Sequence, residues 1–283
     1  MKILSITAKL TFLVTVLASA MVAMDLSPQE VVAKHLDSIG KKEKRAAVKT
    51  LMAVGLSEFE ARMPVITGGG KGIIVSNGDN LFWVIGLNSR EYPFEKIGFF
   101  GDKVSLPFIT SGTRSLIGAF LADHSKILSD GLFGGVMSLR WNLLDIEKHG
   151  TQLSGGSSKK IDGRKLITLD YNSLSGGGAA SFTVKLYFDP ETFNHVRTEY
   201  RYEVAAREGT FGRANQQASS VVSLIEEFAD FKEADGLNLP YTYRVTYRTN
   251  SNVGMFENSL GIKVSQYVLN QTLAADFFTF DAK

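Results

Sequence analysis

Two hydrophobic periods alternate along the chain. Over residues 181–204 apolar side chains recur at every second position: Phe182, Val184, Leu186 and Phe188 share one parity. Past the turn Asp189-Pro190-Glu191-Thr192, Val196, Thr198, Tyr200 and Tyr202 share one parity, and Arg197, Glu199, Arg201 and Glu203 the other. Successive strand side chains point to opposite faces, so the stretch predicts a hairpin with an aromatic face and a charged face. Pro190 presets φ for a turn, and the Asp189 side chain suits the turn backbone. Tyr241, Tyr243, Val245 and Tyr247 repeat the pattern against Thr242, Arg244, Thr246 and Arg248. Further strands are predicted over residues 143–153, 159–171, 219–232, 237–250 and 261–270, with turns at 154–157, 175–178 and Asp235-Gly236. Residues 208–220 are polar and read as a loop.

The N-terminal half begins with helices. In Ser27-Pro28-Gln29-Glu30, Ser27 caps, Pro28 fits the first helical position and Glu30 completes a capping box. Val32, Leu36 and Ile39 follow at helical spacing, and Gly40 suits the stop. Residues 41–48 form a second helix carrying Lys41, Lys42, Lys44 and Arg45, either a contact for anionic lipid or simply a solvated face. Residues 50–63 read as a long strand broken near Gly55, and Gly68–Gly72 as a turn into the next one. Asn77-Gly78-Asp79-Asn80 joins 72–76 to 81–85 as a hairpin. Residues 81–85 are apolar on both parities and require cover on both sides. Between 111 and 133 the period becomes helical, with a stripe of Leu116, Ile117, Phe120, Leu121, His124, Ile127, Leu128 and Leu132, and a second short helical stretch is expected over 132–141. The whole predicts a mainly β protein with some α: a large curved antiparallel sheet whose aromatic face these helices cover.

Residues 1–23 have the pattern of a secretory signal peptide. Lys2 and Lys9 precede the apolar run 10–17, and Ala18-Ser19-Ala20 or Met21-Val22-Ala23 supplies small residues for cleavage. An uncleaved anchor is the alternative, but the run is short of the roughly 20 residues that a helical span needs. The expected mature chain, residues 24–283, is one domain acting outside the cytoplasm. The net charge of +2 resides in the leader, since Lys2 and Lys9 are its only charges. A neutral mature chain argues against nucleic acid as a partner. The chain has no Cys, which excludes disulfides, thiolate metal sites and a Cys nucleophile.

Catalytic motifs are sparse. There is no Gly-x-Ser-x-Gly elbow and no His-Glu-x-x-His pair. His35, His124, His149 and His195 lie in separate elements, without ligand spacing. Glu226 and Glu227 are neighbours on a strand and face opposite sides, so they form no carboxylate pair. Gly68-Gly69-Gly70-Lys71-Gly72 lacks the ending of a phosphate-binding loop, and Asn270-Gln271-Thr272 matches a glycosylation acceptor only as a common tripeptide.

Residues 27–55, 161–169 (IDGRKLITL), 186–200 (LYFDPETFNHVRTEY), 228–243 (FADFKEADGLNLPYTY) and 267–280 (YVLNQTLAADFFTF) together resemble, in order, the LolA/LolB-like periplasmic lipoprotein carriers and their outer-membrane lipoprotein-sorting relatives. The resemblance implies an open half-barrel with helices on its concave side, a periplasmic location, no cofactor and no catalysis. It also implies that lipid or the acyl chains of an acylated protein bind in the concavity. Its expected lining is Trp83, Leu116, Phe120, Phe182, Val184, Leu186, Tyr200, Tyr202, Tyr241 and Tyr243, and Arg114 stands near the place of the family's lid-holding Arg. Two other functions fit the residues: a cell-envelope sensor or scaffold with a packed interior and envelope proteins as partners, and a lipid or glycan hydrolase using His124 or His195.

Overall fold

The computed structural model describes residues 26–62, 65–90, 92–174, 182–204, 220–251, 254–274 and 276–280. The expected leader, the 175–178 turn and nearly all of the polar 208–220 loop lie outside these residues. The elements in order are α1 (Pro28–Ile39), α2 (Lys42–Ala47), β1 (Thr50–Arg62), β2 (Val65–Asn77), β3 (Asn80–Gly86), β4 (Phe94–Phe100) and β5 (Lys103–Ser105). Three helices follow, α3 (Leu116–Asp123), α4 (Lys126–Ser129) and α5 (Ile146–His149). Seven strands complete the chain: β6 (Leu153–Ile161), β7 (Arg164–Tyr171), β8 (Phe182–Phe188), β9 (His195–Val204), β10 (Ser220–Ala234), β11 (Leu237–Ser251) and β12 (Gly254–Leu269).

All twelve strands join one antiparallel sheet in the order β5-β4-β3-β2-β1-β12-β11-β10-β9-β8-β7-β6. It is an open half-barrel, with β5 and β6 as its two edges. The first five strands run outward from the centre, and the last seven run inward from the far edge. Residues 106–152 must therefore pass from one edge to the other, and they do so across the inner face. There Ile117, Phe120, Leu121, Ile127, Leu128, Leu132 and Phe133 join the inward side chains of the sheet in one core.

Local chemistry accounts for most boundaries. Ser27 and Glu30 form the reciprocal capping box, and Val31, Val32, His35 and Ile39 are the buried face of α1. In α2 no residue is buried; Arg45 turns back and donates to the carbonyls of Leu36 and Gly40, closing the end of α1. The Asn77 side chain accepts from the N–H of Asp79 and of Asn80, at 3.0 and 2.8 Å, which fixes the β2–β3 turn. The Asp189 carboxylate accepts from the backbone of Glu191 and Thr192 as its position suggests. Phe82 on the outer side of β3 is covered by Phe277 and Phe280, so this doubly apolar strand has cover on both faces.

Several expectations are corrected. Gly68–Gly72 is not a turn but the middle of β2, paired with β1 throughout. A Cβ on Gly69 would lie 2.5 Å from the Ser57 carbonyl oxygen, so the strands approach too closely there for any side chain. Residues 143–153 are not a strand: a 3-10 turn (Asn142–Asp145) and α5 precede β6. Of the expected 132–141 helix only a 3-10 turn at Gly135–Met137 forms. Residues 154–157 belong to β6, with the register shifting between Gly155 and Ser158. The expected strand 159–171 is split into β6 and β7 at Asp162-Gly163, whose positive φ angles of 47° and 84° match a tight hairpin turn. Val196 does not share the face of Tyr200: Phe188 pairs with His195 and Tyr187 with Arg197, which leaves Val196 as a bulge on the outer side beside Leu166 and Tyr187.

Gly69→Val is expected to lower unfolding free energy by about 1–3 kcal/mol because β1 and β2 must separate. Gly78→Ala, with nothing within 4 Å of its added Cβ, is expected to change it by less than about 0.5 kcal/mol. Urea unfolding of the two variants measures the contrast.

Candidate functional site

The inner face has a dry centre and a less covered upper part. Trp83, Leu186 and Tyr200 have no exposed surface, and Tyr243 and Val184 have almost none. Trp83 meets Phe133 and Tyr243 edge-on, with centroids 5.9 and 6.4 Å apart. Its buried indole N–H finds no acceptor among the described residues. Toward the end where β8 begins and β9 ends, Phe182 and Tyr202 are half-buried. His124, just past α3, stacks on Phe182 at 4.6 Å and lies 5.2 Å from Tyr202. Phe120 reaches Tyr202 and Tyr247 from the same helix. Eight of the ten expected lining residues thus meet in one apolar face. Leu116 stands at its margin, 39% exposed. Tyr241 is partly buried at the side of the same core, edge-on to Tyr267 with the Lys232 amine over its ring.

A polar group that the motif search passed over lies at the centre. Glu226 is fully buried. Its Oε1 accepts from the Gly134 N–H at 2.7 Å and the Tyr243 hydroxyl at 2.6 Å, and its Oε2 from the Tyr200 hydroxyl at 2.8 Å. Burial raises its carboxyl to about 7, against the pull of these three donors. The signal was present in sequence: Leu224, Glu226 and Phe228 share one parity, which puts an acid on an apolar stripe. Glu227 faces the other way, near Arg197 on the outer side.

Three aromatic groups continue this interior toward α1. Trp141 donates from Nε1 to His35 Nε2 at 3.2 Å, and the opposite nitrogen of His35 is 3.1 Å from the Phe193 carbonyl, so Nδ1 carries the proton. His195 stacks on Trp141 at 4.8 Å and bonds Thr198 through Nε2. Burial lowers both imidazoles, His35 to about 4. These histidines are core residues, and Thr198 and His195 have no exposed surface. Among the described residues no group of three or more His, Asp or Glu could hold a metal ion.

A groove of about 210 Å³ opens where α3 starts, lined by Phe59, Tyr92, Ile109, Leu116, Ile117 and Leu260 among others. Arg114 borders it but is occupied: its Nε donates to the Leu106 carbonyl and its guanidinium lies over Phe108. Below the groove Glu95 is 3% exposed and accepts from the Tyr92 hydroxyl. Burial raises its carboxyl to about 7, opposed by hydrogen bonds from Ser115 and Tyr92.

This architecture is a half-barrel with a plugged concave face. No protein-family model matches the chain, and no curated protein matches it. Solved structures align with most of its length at low identity. A LolA superfamily protein from Nitrosomonas europaea is 11% identical over 90% of this chain and 98% of its own, with a TM-score of 0.46. A DUF1329 family protein from Desulfovibrio piger is 10% identical over 89% and 96%, with a TM-score of 0.42. A domain named for outer membrane lipoprotein sorting, from Vibrio parahaemolyticus, is 12% identical over 87% and 97%, with a TM-score of 0.42. The first and third of these carry names from the group that the sequence resembles.

Tyr243→Phe keeps the ring among Trp83 and Phe228 and removes one donor to Glu226. It is expected to cost about 1.5–3 kcal/mol where the carboxylate is ionised. The loss should be larger at pH 8 than at pH 5, because the neutral acid that prevails below about 7 needs that donor less. Urea midpoints of parent and variant at the two pH values give the difference.

Proposed function

We propose that the protein holds acyl chains, of free lipid or of an acylated protein, against its concave aromatic face, as a non-catalytic carrier or binding protein of the periplasm. The observation that carries this is how the upper part of that face is covered. Phe182, Tyr202 and Tyr247 face side chains of α3 and His124, a segment that adds no strand to the sheet there. Helices of eight and four residues are too short to persist without their packing partner. Residues 115–134 therefore act as a lid, and moving it bares a broad apolar surface. An acyl chain taking its place gains about 0.8 kcal/mol for each CH₂ removed from water. The groove beside Leu116 is the way in beneath the lid.

A second function has support from the dry centre. Trp83, Val184, Leu186, Tyr200 and Tyr243 are packed on all sides, which suits a scaffold that binds an envelope partner with its outer surface and encloses no ligand. The hydrolase alternative has little support: His195 and Thr198 form a hydrogen-bonded pair, but both are sealed from solvent.

Mass spectrometry of small molecules extracted from gently purified protein is expected to find stoichiometric lipid or acylated peptide. Phe182→Glu, at the half-buried margin, should weaken binding of the uncharged probe N-phenyl-1-naphthylamine by at least about tenfold, a loss of roughly 1.4 kcal/mol, while the circular dichroism of the sheet is unchanged. An empty protein that takes up no probe supports the scaffold in place of the carrier.

A further inference from the structure

The lid is fastened at each end to a buried carboxyl group. At its first residue, Ser115 accepts from the Gly118 N–H at 2.7 Å, capping α3, and also hydrogen-bonds Glu95 on β4. At its last, the Gly134 N–H donates to Glu226 on β10, whose other donors come from β9 and β11. Just before the first fastening, and at the second itself, the backbone is left-handed at a glycine with room to turn. Gly112 has φ 75° and nothing within 4 Å of an added Cβ, and Gly134 has φ 85° and its nearest neighbour at 3.6 Å.

We propose that Glu95 and Glu226 are the two latches of one lid, residues 115–134, and that lifting the lid releases a proton from each, so that the concave face is shut in acid and opens as the pH rises. This rests on the proposed role of the segment as a lid. With the lid down, burial holds both carboxyls at about 7; in water each would return to its ordinary value of 4.5. The sign follows from linkage. A group whose value is raised in the closed state favours closure fully below 4.5, and that advantage is lost as the pH climbs through about 7. Between pH 6 and pH 8 the opening equilibrium should rise about tenfold for each latch and about a hundredfold for both.

The groups facing the latches leave this sign intact. Glu95 faces Tyr92 and Ser115, and Glu226 faces Tyr200, Tyr243 and the Gly134 amide; among the described residues no cation pairs with either, and the guanidinium of Arg114, next to Ser115, is turned to the Leu106 carbonyl and Phe108. His195, beside Gly135, is kept neutral by burial. On the lid itself Asp130 is raised by burial and adds to the effect, whereas His124 is lowered by burial and acts against it. His124 therefore offsets part of the latches' effect at the acid end of this range.

Amide hydrogen exchange of the ligand-free mature protein at pH 6 and pH 8, scaled for intrinsic exchange, tests this. Protection over α3 and α4 should fall at pH 8 by about ten- to a hundredfold relative to β10 and β11. Glu95→Gln and Glu226→Gln should each remove roughly half of that change on a logarithmic scale, and the double variant nearly all of it. Lid protection that does not change with pH in the unaltered protein overturns the proposal even if the variants fail to fold, and so does a response that survives in a folded double variant. Binding of N-phenyl-1-naphthylamine at the same two pH values separates the two ideas. A lid that opens with pH without taking up the probe removes the carrier role and leaves the latches standing. Equal probe binding at both pH values, with constant lid protection, removes the latches and leaves the carrier.

Discussion

The pairing of β1 with β12 governs the rest of the structure. It joins the first and last strands at the centre of the sheet, with eleven residue pairs from Leu51↔Leu269 to Ala61↔Asn258. The remaining strands must then spread toward opposite edges, and the chain must travel from β5 to β6 across the sheet. Only one face can take that crossing and bury it. The helices on the concave side are therefore a consequence of topology as much as of their own apolar stripe, and together with α1 they cover the aromatic face.

That cover is held less by helix propensity than by a few polar anchors in an apolar setting. An acid buried as deeply as Glu226 is costly unless its oxygens are satisfied, and here donors from β9, β11 and the end of the lid converge on it. Glu95 repeats the arrangement with Tyr92 and Ser115. A purely hydrophobic plug would pack as well but would have no preferred register. The carboxyl groups select one placement of residues 115–134, and removing one partner leaves an unpaired polar group in the core.

The hairpins β8–β9 and β10–β11 were legible because their alternation is strict and their turns carry Asp-Pro and Asp-Gly, whereas the Asp162-Gly163 turn was lost inside an apparent single strand. The same rule failed where the alternation was interrupted. In β4, Glu95 occupies an inward position between apolar neighbours, which hides the strand from a pattern search. Leu143, Leu144 and Ile146 form a short apolar run that periodicity cannot assign, and tertiary packing made it a 3-10 turn and a helix. The bulge at Val196 turned one residue outward with no sign in composition. Phe182, Val184, Leu186, Tyr200, Tyr202 and Tyr243 could be read from parity as inward side chains. The polar half of the site could not, because Glu226 and His195 gain their meaning from Gly134 and Trp141, which are remote in sequence.

The two kinds of buried titratable group set opposite demands on the fold. The histidines of the core, His35 and His195, are held below their ordinary values, so they support the structure above about 6.5 and withdraw that support as the pH falls toward 4. The buried carboxyls are held above theirs and do the reverse, with full support below 4.5 and none gained above 7. Between about 4.5 and 6.5 the two contributions have opposite signs. His35 and His195 lie under α1 and the β8–β9 turn, whereas Glu95 and Glu226 lie at the ends of the lid. On the latch proposal, a change of pH across neutrality therefore acts on the lid chiefly through its two ends, and through Glu226 on β9 and β11 as well.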